Sequence, residues 1–266
     1  EQNKTTFGFL NNIPFRENLK SRLTTLWDYE KISAPFEEGK YTYFYKNSGL
    51  QNQSILYREN KNQQLEVFLD PNKFSDDGTT SLSGLSFSKD ASLVAYSISE
   101  GGADWRKVIV MDTESKEIIG DTILNVKFSG ISWKSNEGFY YSSYEEPKGR
   151  KLSTKTDQHK LYYHEMGTKQ YQDKIIFGGV SSEKNRYVRG YVTEDDRYLV
   201  IDAAIKTTGN KLFIKDLKNN SSLKVINDDY ESNTYILDND GSELILVTDH
   251  NAPNKKIVKT DFKNPG

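Results

Sequence analysis

Ser81-Leu82-Ser83-Gly84-Leu85-Ser86-Phe87-Ser88 runs into Lys89-Asp90-Ala91, and Ser92-Leu93-Val94-Ala95-Tyr96-Ser97-Ile98-Ser99 follows. This is a short apolar strand, a tight acidic turn and a second aromatic-bearing strand. The phrase returns along the chain. Residues 128–133 (FSGISW) lead through Lys134–Glu137 to residues 138–143 (GFYYSS). Residues 187–193 (YVRGYVT) lead through Glu194–Asp196 to residues 197–202 (RYLVID), and residues 232–238 (SNTYILD) through Asn239–Gly241 to residues 242–248 (SELILVT). A looser copy opens the series with Phe36–Glu38, Gly39 and residues 40–46 (KYTYFYK). The turns fall roughly 45–60 residues apart, the spacing of propeller blades.

Further strands complete each copy. Ser54–Arg58 and Leu65–Leu69 finish the first module, and Lys107–Met111 with Glu117–Ile119 the second. Lys160–His164 and Lys174–Phe177 finish the third, and Lys211–Leu217 with Leu223–Ile226 the fourth. Lys255–Phe262 is the third strand of the fifth module, where the chain ends. Each module reads as a four-stranded antiparallel meander. A lone meander leaves a face uncovered, so the blades are expected to stack. The fold class is therefore all-β, about five propeller blades preceded by one helix.

That helix lies in the first thirty residues. Pro14 suits a first helical turn, and Leu19, Leu23, Leu26 and Trp27 recur at helical spacing. We expect an amphipathic helical segment over 1–31 and an incomplete propeller over 32–266. The helix has no obvious partner within the chain. It is either a cap on the sheets or a piece of a neighbouring domain. The polar start at Glu1 and the stop at Gly266 lead us to expect part of a longer polypeptide.

Bulk composition excludes several functions. A net charge of -2, from 36 basic and 38 acidic residues, provides no basic stripe for nucleic acid or anionic membrane. No apolar run approaches the roughly 20 residues of a membrane-spanning helix. The absence of cysteine excludes disulfides, thiolate metal sites and a cysteine nucleophile. It suits a periplasmic home better than a cytoplasmic one.

No catalytic engine is visible. The chain contains no G-x-S-x-G elbow, phosphate loop, H-E-x-x-H or dinucleotide fingerprint. Gly101-Gly102 and Gly178-Gly179 read as turns. His159 and His164, five apart, fall on opposite faces of a strand, a poor arrangement for a shared metal. His250 beside Asp249 reads as a solvated loop histidine rather than an acid–base pair. Most carboxylates occupy turns: Asp76-Asp77, Asp195-Asp196, Asp228-Asp229, Asp238 and Asp240. A glycosidase would need two of them facing inward, and no pair is singled out. Neither a metal nor a cofactor is implied. The polar stretch Tyr144–Gln158 reads as a surface loop.

Longer blocks carry a resemblance. They include Ile13-Pro14-Phe15-Arg16, Leu26-Trp27-Asp28-Tyr29-Glu30-Lys31, Ser33-Ala34-Pro35-Phe36 and Tyr45 through Ser54. Phe68-Leu69-Asp70-Pro71-Asn72, Gly102-Ala103-Asp104-Trp105, Val126-Lys127-Phe128-Ser129 and His159 through His164 continue it, with Met166-Gly167-Thr168 where some relatives have Leu-Gly-Thr. Over Ile13–Pro265 the chain resembles the prolyl oligopeptidases, serine peptidases that cleave short peptides after proline, in a bacterial style. The resemblance implies a seven-bladed propeller joined to an α/β-hydrolase domain. That domain carries the serine, aspartate and histidine, so no catalytic residue is expected in this chain. It also implies that the N-terminal helix packs on the hydrolase domain.

Phe128 matches an aromatic that projects toward the substrate pocket, and Val188 lies near an apolar pocket position. Asp104 and Trp105 match a motif expected at the interdomain face, with a plain structural turn as the alternative. Lys206 stands where some relatives place a cysteine, so thiol sensitivity does not carry over. The implied partners are short proline-containing peptides and the chain's own hydrolase domain. A binding or scaffold propeller without activity remains the alternative, and a five-bladed propeller glycosidase a more distant one.

Overall fold

The computed structural model describes residues 1–145, 157–179 and 185–265. The expected loop Tyr144–Gln158 falls mostly outside the described residues. The chain divides into two compact units, Glu1–Ser81 and Leu82–Gly266. The helices thus group with the first sheet, whereas sequence placed a boundary after residue 31.

In the first unit, helices span Gln2–Leu10 and Arg16–Trp27. The second begins two residues after Pro14, which lies in a turn closed by the Arg16 N–H donating to the Ile13 carbonyl. The first was not legible, because Gln2-Asn3-Lys4-Thr5-Thr6 is polar with two β-branched residues. No residue of either helix is buried, and Leu19, Leu23, Leu26 and Trp27 are each more than half exposed. The sheet orders Lys31–Ile32, Tyr41–Asn47, Ile55–Asn60 and Leu65–Leu69, with Phe36–Glu38 also pairing Tyr41–Asn47. Its core is aromatic. Tyr43 stacks on Phe36 at 5.6 Å and meets the Phe68 edge at 5.1 Å. The buried Arg58 guanidinium lies 4.2 Å from the Tyr41 ring and 2.6 Å from Glu66.

The second unit contains consecutive antiparallel sheets. The second sheet of the chain orders Thr80–Phe87, Leu93–Glu100, Trp105–Asp112 and Ile123–Lys127. The third orders Ile131–Lys134, Gly138–Ser143, Lys160–Glu165 and Lys174–Phe177. Tyr187–Val192, Tyr198–Ala204, Lys211–Asp216 and Lys224–Asn227 form the fourth. Thr234–Asp240, Glu243–Thr248 and Lys256–Asp261 form the fifth, three-stranded among the described residues.

One strand falls elsewhere than expected. The fourth strand of the second sheet is Ile123–Lys127, not Glu117–Ile119. Asp112 accepts the N–H groups of Glu114 and Ser115 and turns the chain there. Only an isolated bridge from Met111 to Ile118 remains. Ile118 is exposed, while Ile123 and Val126 enter the core.

Two of the recurring turns share one chemistry. The Ser88 hydroxyl accepts the Leu93 N–H and the Asp90 carboxylate accepts the Ser92 N–H. Thr193 and Asp195 do the same for Tyr198 and Arg197. The Ser92 N–H, donating to Asp90, is the main reason its carboxyl is held down at about 2. These carboxylates are occupied in holding turns.

Packing follows from the alternation along each strand. Val108, Val110, Ile123 and Val126 pack against Trp133, Phe139 and Tyr141. Tyr140 and Leu161 pack against Val188, Leu199, Ile201 and Phe213. The opposite face of the fourth sheet, Tyr198, Val200, Leu212 and Ile214, meets Ile236, Leu244 and Leu246. Every residue of Tyr198–Ala204 is buried, because both faces of that strand are covered. Each large apolar side chain buried this way contributes about 1.5–3 kcal/mol. Gly190 permits a close approach of the third and fourth sheets. A Cβ there would lie 2.5 Å from a Leu161 methyl carbon.

Candidate functional site

Three strand pairs end together. Trp105 pairs with Lys127, Ser143 with Lys160, and Tyr187 with Ala204. His159, immediately before Lys160, ties the three sheets at this end. Its side chain is fully buried. Its Nδ1 accepts the Val188 N–H at 2.8 Å, so the proton sits on Nε2, which donates to the Lys127 carbonyl at 2.9 Å. The ring stacks on Tyr144 at 4.3 Å, and the Tyr144 hydroxyl donates to the Arg186 carbonyl. Burial is the main cause that pushes the imidazole pKa down to about 4. The Lys127 carbonyl opposes the shift and the Arg189 charge adds to it.

Lys127 gathers the residues singled out by sequence. Its Nζ lies 3.8 Å from the Asp104 carboxylate, 4.9 Å from the Trp105 ring centre and 5.1 Å from that of Phe128. The Lys127 side chain is nearly buried, and the two rings around it supply cation–π attraction. Asp104, Trp105 and Phe128 therefore form one cluster.

Phe128 is the exposed tip of this cluster. Its ring is 41% exposed, unlike a core phenylalanine. It meets Tyr144 at 6.3 Å and Tyr187 at 5.9 Å. Its backbone is left-handed, with φ 52°. That conformation costs a bulky L-residue about 1–2 kcal/mol and is commonly retained where a site requires it. Replacing Phe128 with glycine relieves this strain while losing two ring contacts of about 0.5–1.5 kcal/mol each. The expected stability change by urea unfolding is within about 1 kcal/mol, against about 3–5 for a core phenylalanine. A core-sized loss would make Phe128 structural.

Val188 is placed differently. It is fully buried in the core between the third and fourth sheets. Its contribution at this end is the N–H that orients His159. His164, also buried, serves a separate network. Its Nδ1 lies 2.8 Å from Asp173, whose other oxygen accepts the Tyr141 hydroxyl at 2.7 Å. His250 is exposed, and the neighbouring Asp249 accepts both the backbone and side-chain N–H groups of Asn233. No cluster of three or more histidine or carboxylate groups able to hold a metal occurs among the described residues.

A cavity of about 170 Å³ lies beside the cluster, lined by Tyr187, Arg189, Asp202, Lys206, Asn233 and Tyr235 among others. Sequence reasoning noticed Lys206 but gave no role to Asp202, Lys127 or His159. Asp202 lies within the otherwise apolar strand Tyr198–Ala204, and a charge there is the one signal that singles it out.

Residues 1–266 match the family described as prolyl oligopeptidase, N-terminal β-propeller domain. The chain is 59% identical over 263 residues to the prolyl endopeptidase of Elizabethkingia miricola, covering 98% of this chain and 37% of that protein. It is 33% identical over 302 residues to prolyl oligopeptidase A of Amanita bisporigera, covering 100% of this chain and 39% of that protein. Prolyl oligopeptidase B of Galerina marginata, solved bound to a 35mer hydrolysis and macrocyclization substrate, superposes with a TM-score of 0.87 at 25% identity, over 97% of this chain and 39% of that one. The chain thus spans less than two-fifths of the length of these proteins. It belongs to the prolyl oligopeptidase family and carries that family's N-terminal β-propeller domain.

Proposed function

We propose that this chain is the access-controlling portion of a serine endopeptidase that cleaves short peptides after proline. The hydrolase domain that performs the acyl transfer follows the propeller in the longer protein. The observation that carries this reading is Phe128, half-exposed, in a left-handed conformation and clamped between Tyr144 and Tyr187. An aromatic face of this kind stacks on apolar peptide side chains. Asp104 and Trp105, fixed around Lys127, form part of the face turned to the hydrolase domain. Val188 supports the pocket from behind through His159.

The sheets are five blades of a seven-bladed ring, completed in the longer protein. The exposed Leu19, Leu23, Leu26 and Trp27 form the apolar side of an amphipathic helix that the hydrolase domain covers. The ring acts by exclusion. A folded protein must unfold to enter, at about 5–15 kcal/mol, whereas a short peptide enters freely.

The test is Phe128→Ala in the full-length protein. Losing one stacking contact raises KM for a short prolyl peptide about tenfold and leaves kcat within about twofold. An unchanged KM contradicts the pocket assignment.

A further inference from the structure

We infer that His159 is a positioning residue for Phe128, holding the peptide bond between Lys127 and Phe128 in the orientation that presents the ring. The inference rests on the peptide-cleaving reading above. It starts from the linker between the second and third sheets, which leaves the strand Ile123–Lys127 and enters the strand Ile131–Lys134. Phe128 opens that linker with φ 52°. A bulky residue keeps such a conformation only where its surroundings over-determine it.

The surroundings do so here. The His159 Nε2–H donates to the Lys127 carbonyl at 2.9 Å. The Ser129 hydroxyl accepts the Ser142 N–H at 2.7 Å and donates to the Gly130 carbonyl. The Ser143 hydroxyl donates to the Asn125 carbonyl. Of these anchors, only the His159 bond is made to the peptide unit that precedes Phe128. The imidazole is fully buried, so its donor is not shared with solvent.

His159 also sets the rings on either side. Tyr144 stacks on the imidazole at 4.3 Å and meets Phe128 at 6.3 Å. The Val188 N–H that reaches Nδ1 at 2.8 Å follows Tyr187, the other ring against Phe128. Without the His159 bond the Lys127–Phe128 peptide is free to rotate. Phe128 then returns to the ordinary negative φ, its Cα–Cβ bond changes direction, and the ring leaves Tyr144 and Tyr187. The groups that cut the peptide are untouched, so KM moves and kcat does not.

The test uses the full-length protein, a short prolyl peptide and two amide variants. An asparagine amide sits at the level of Nδ1, where it accepts the Val188 N–H but falls short of the Lys127 carbonyl. A glutamine amide sits at the level of Nε2 and keeps that donor. Both lose the stack on Tyr144, so a purely structural role moves both alike. His159→Asn is expected to raise KM about tenfold, as Phe128→Ala does, with kcat within about twofold. His159→Gln restores KM to within about threefold of the wild type. Added to Phe128→Ala, His159→Asn raises KM by less than about twofold, because it acts through that ring. A further tenfold rise there, or equal KM values in His159→Asn and His159→Gln, overturns the inference. Where His159→Asn does not fold, His159→Gln carries the test, and a KM as high as that of Phe128→Ala overturns it.

Urea unfolding reads the same coupling without a substrate. Phe128→Gly relieves strain in the wild type that His159→Asn has already released. Its cost in the unfolding equilibrium constant is therefore expected to be about fivefold greater in His159→Asn. Equal costs overturn the inference. Failure to cleave any prolyl peptide, or an unchanged KM in Phe128→Ala, counts against the pocket reading alone, and the unfolding pair still decides whether His159 holds Phe128.

Discussion

Replacing His159 with alanine is expected to cost the second unit about 4 kcal/mol. Two losses add. Deleting a buried ring costs about 3–5 kcal/mol when the site collapses little, and each polar group left without a partner costs about 1–3. Here the Lys127 carbonyl and the Val188 N–H are both orphaned and the Tyr144 stack is lost. These terms overlap, so their full sum is not reached. His159→Gln retains a donor and an acceptor and loses about half as much. Urea unfolding followed by tyrosine and tryptophan fluorescence measures both. A loss below about 1 kcal/mol for alanine would show that the imidazole does not tie the sheets.

The same ring sets an acid limit. Its folded pKa of about 4 lies below the ordinary 6.5, so the unfolded chain takes the proton first as pH falls. The stability held by neutral His159 is whole above about pH 6.5, declines through the window down to about 4, and is flat below it. The drop amounts to about 3 kcal/mol. His159→Gln removes this contribution from the window. Asp90 acts lower, since its stabilising carboxylate is lost only as pH falls below its ordinary 3.8 toward about 2.

The repeat was legible because its turns are local chemistry. Ser88 with Asp90, and Thr193 with Asp195, bind backbone within five residues, and such patterns are visible in one dimension. The strand Ile123–Lys127 was not, because Asn125 and Lys127 interrupt its alternation, while the branched pair Ile118-Ile119 imitates a strand. Lys127 is covered in part by Trp105 and Phe128, which sequence spacing does not place beside it. Asp104, Trp105 and Phe128 emerged through resemblance rather than from spacing. His159 escaped because its partners lie 32 and 29 residues away, and no periodicity reports a ring nitrogen meeting a distant carbonyl. Asp202 escaped because the repeat ends its strand at residue 202, whereas the strand continues through Ala204 and keeps Asp202 inside the sheet.

The largest expected effect is catalytic. In the peptidase reading the nucleophile, its base and the oxyanion donors all lie downstream, and Ser–His–Asp chemistry requires them together. Residues 1–266 hold neither a G-x-S-x-G elbow nor a cysteine. This chain alone is therefore expected to hydrolyse no prolyl peptide above the uncatalysed rate. Joined to the downstream domain, it is expected to reach the turnover of an ordinary enzyme, about 1–1,000 per second. In the proposed reading the joined protein also refuses a folded substrate of the same sequence, because a seven-bladed ring would admit only what can thread or slip past its rim.

The decisive measurement is release of a chromophore from a proline–nitroanilide peptide by the isolated chain and by the full-length protein, side by side, with and without a serine-directed inhibitor. The expected result is inhibitor-sensitive release by the full-length protein alone. Release by the isolated chain, or none by the full-length protein, would contradict the division of labour between a filtering ring and a cutting domain.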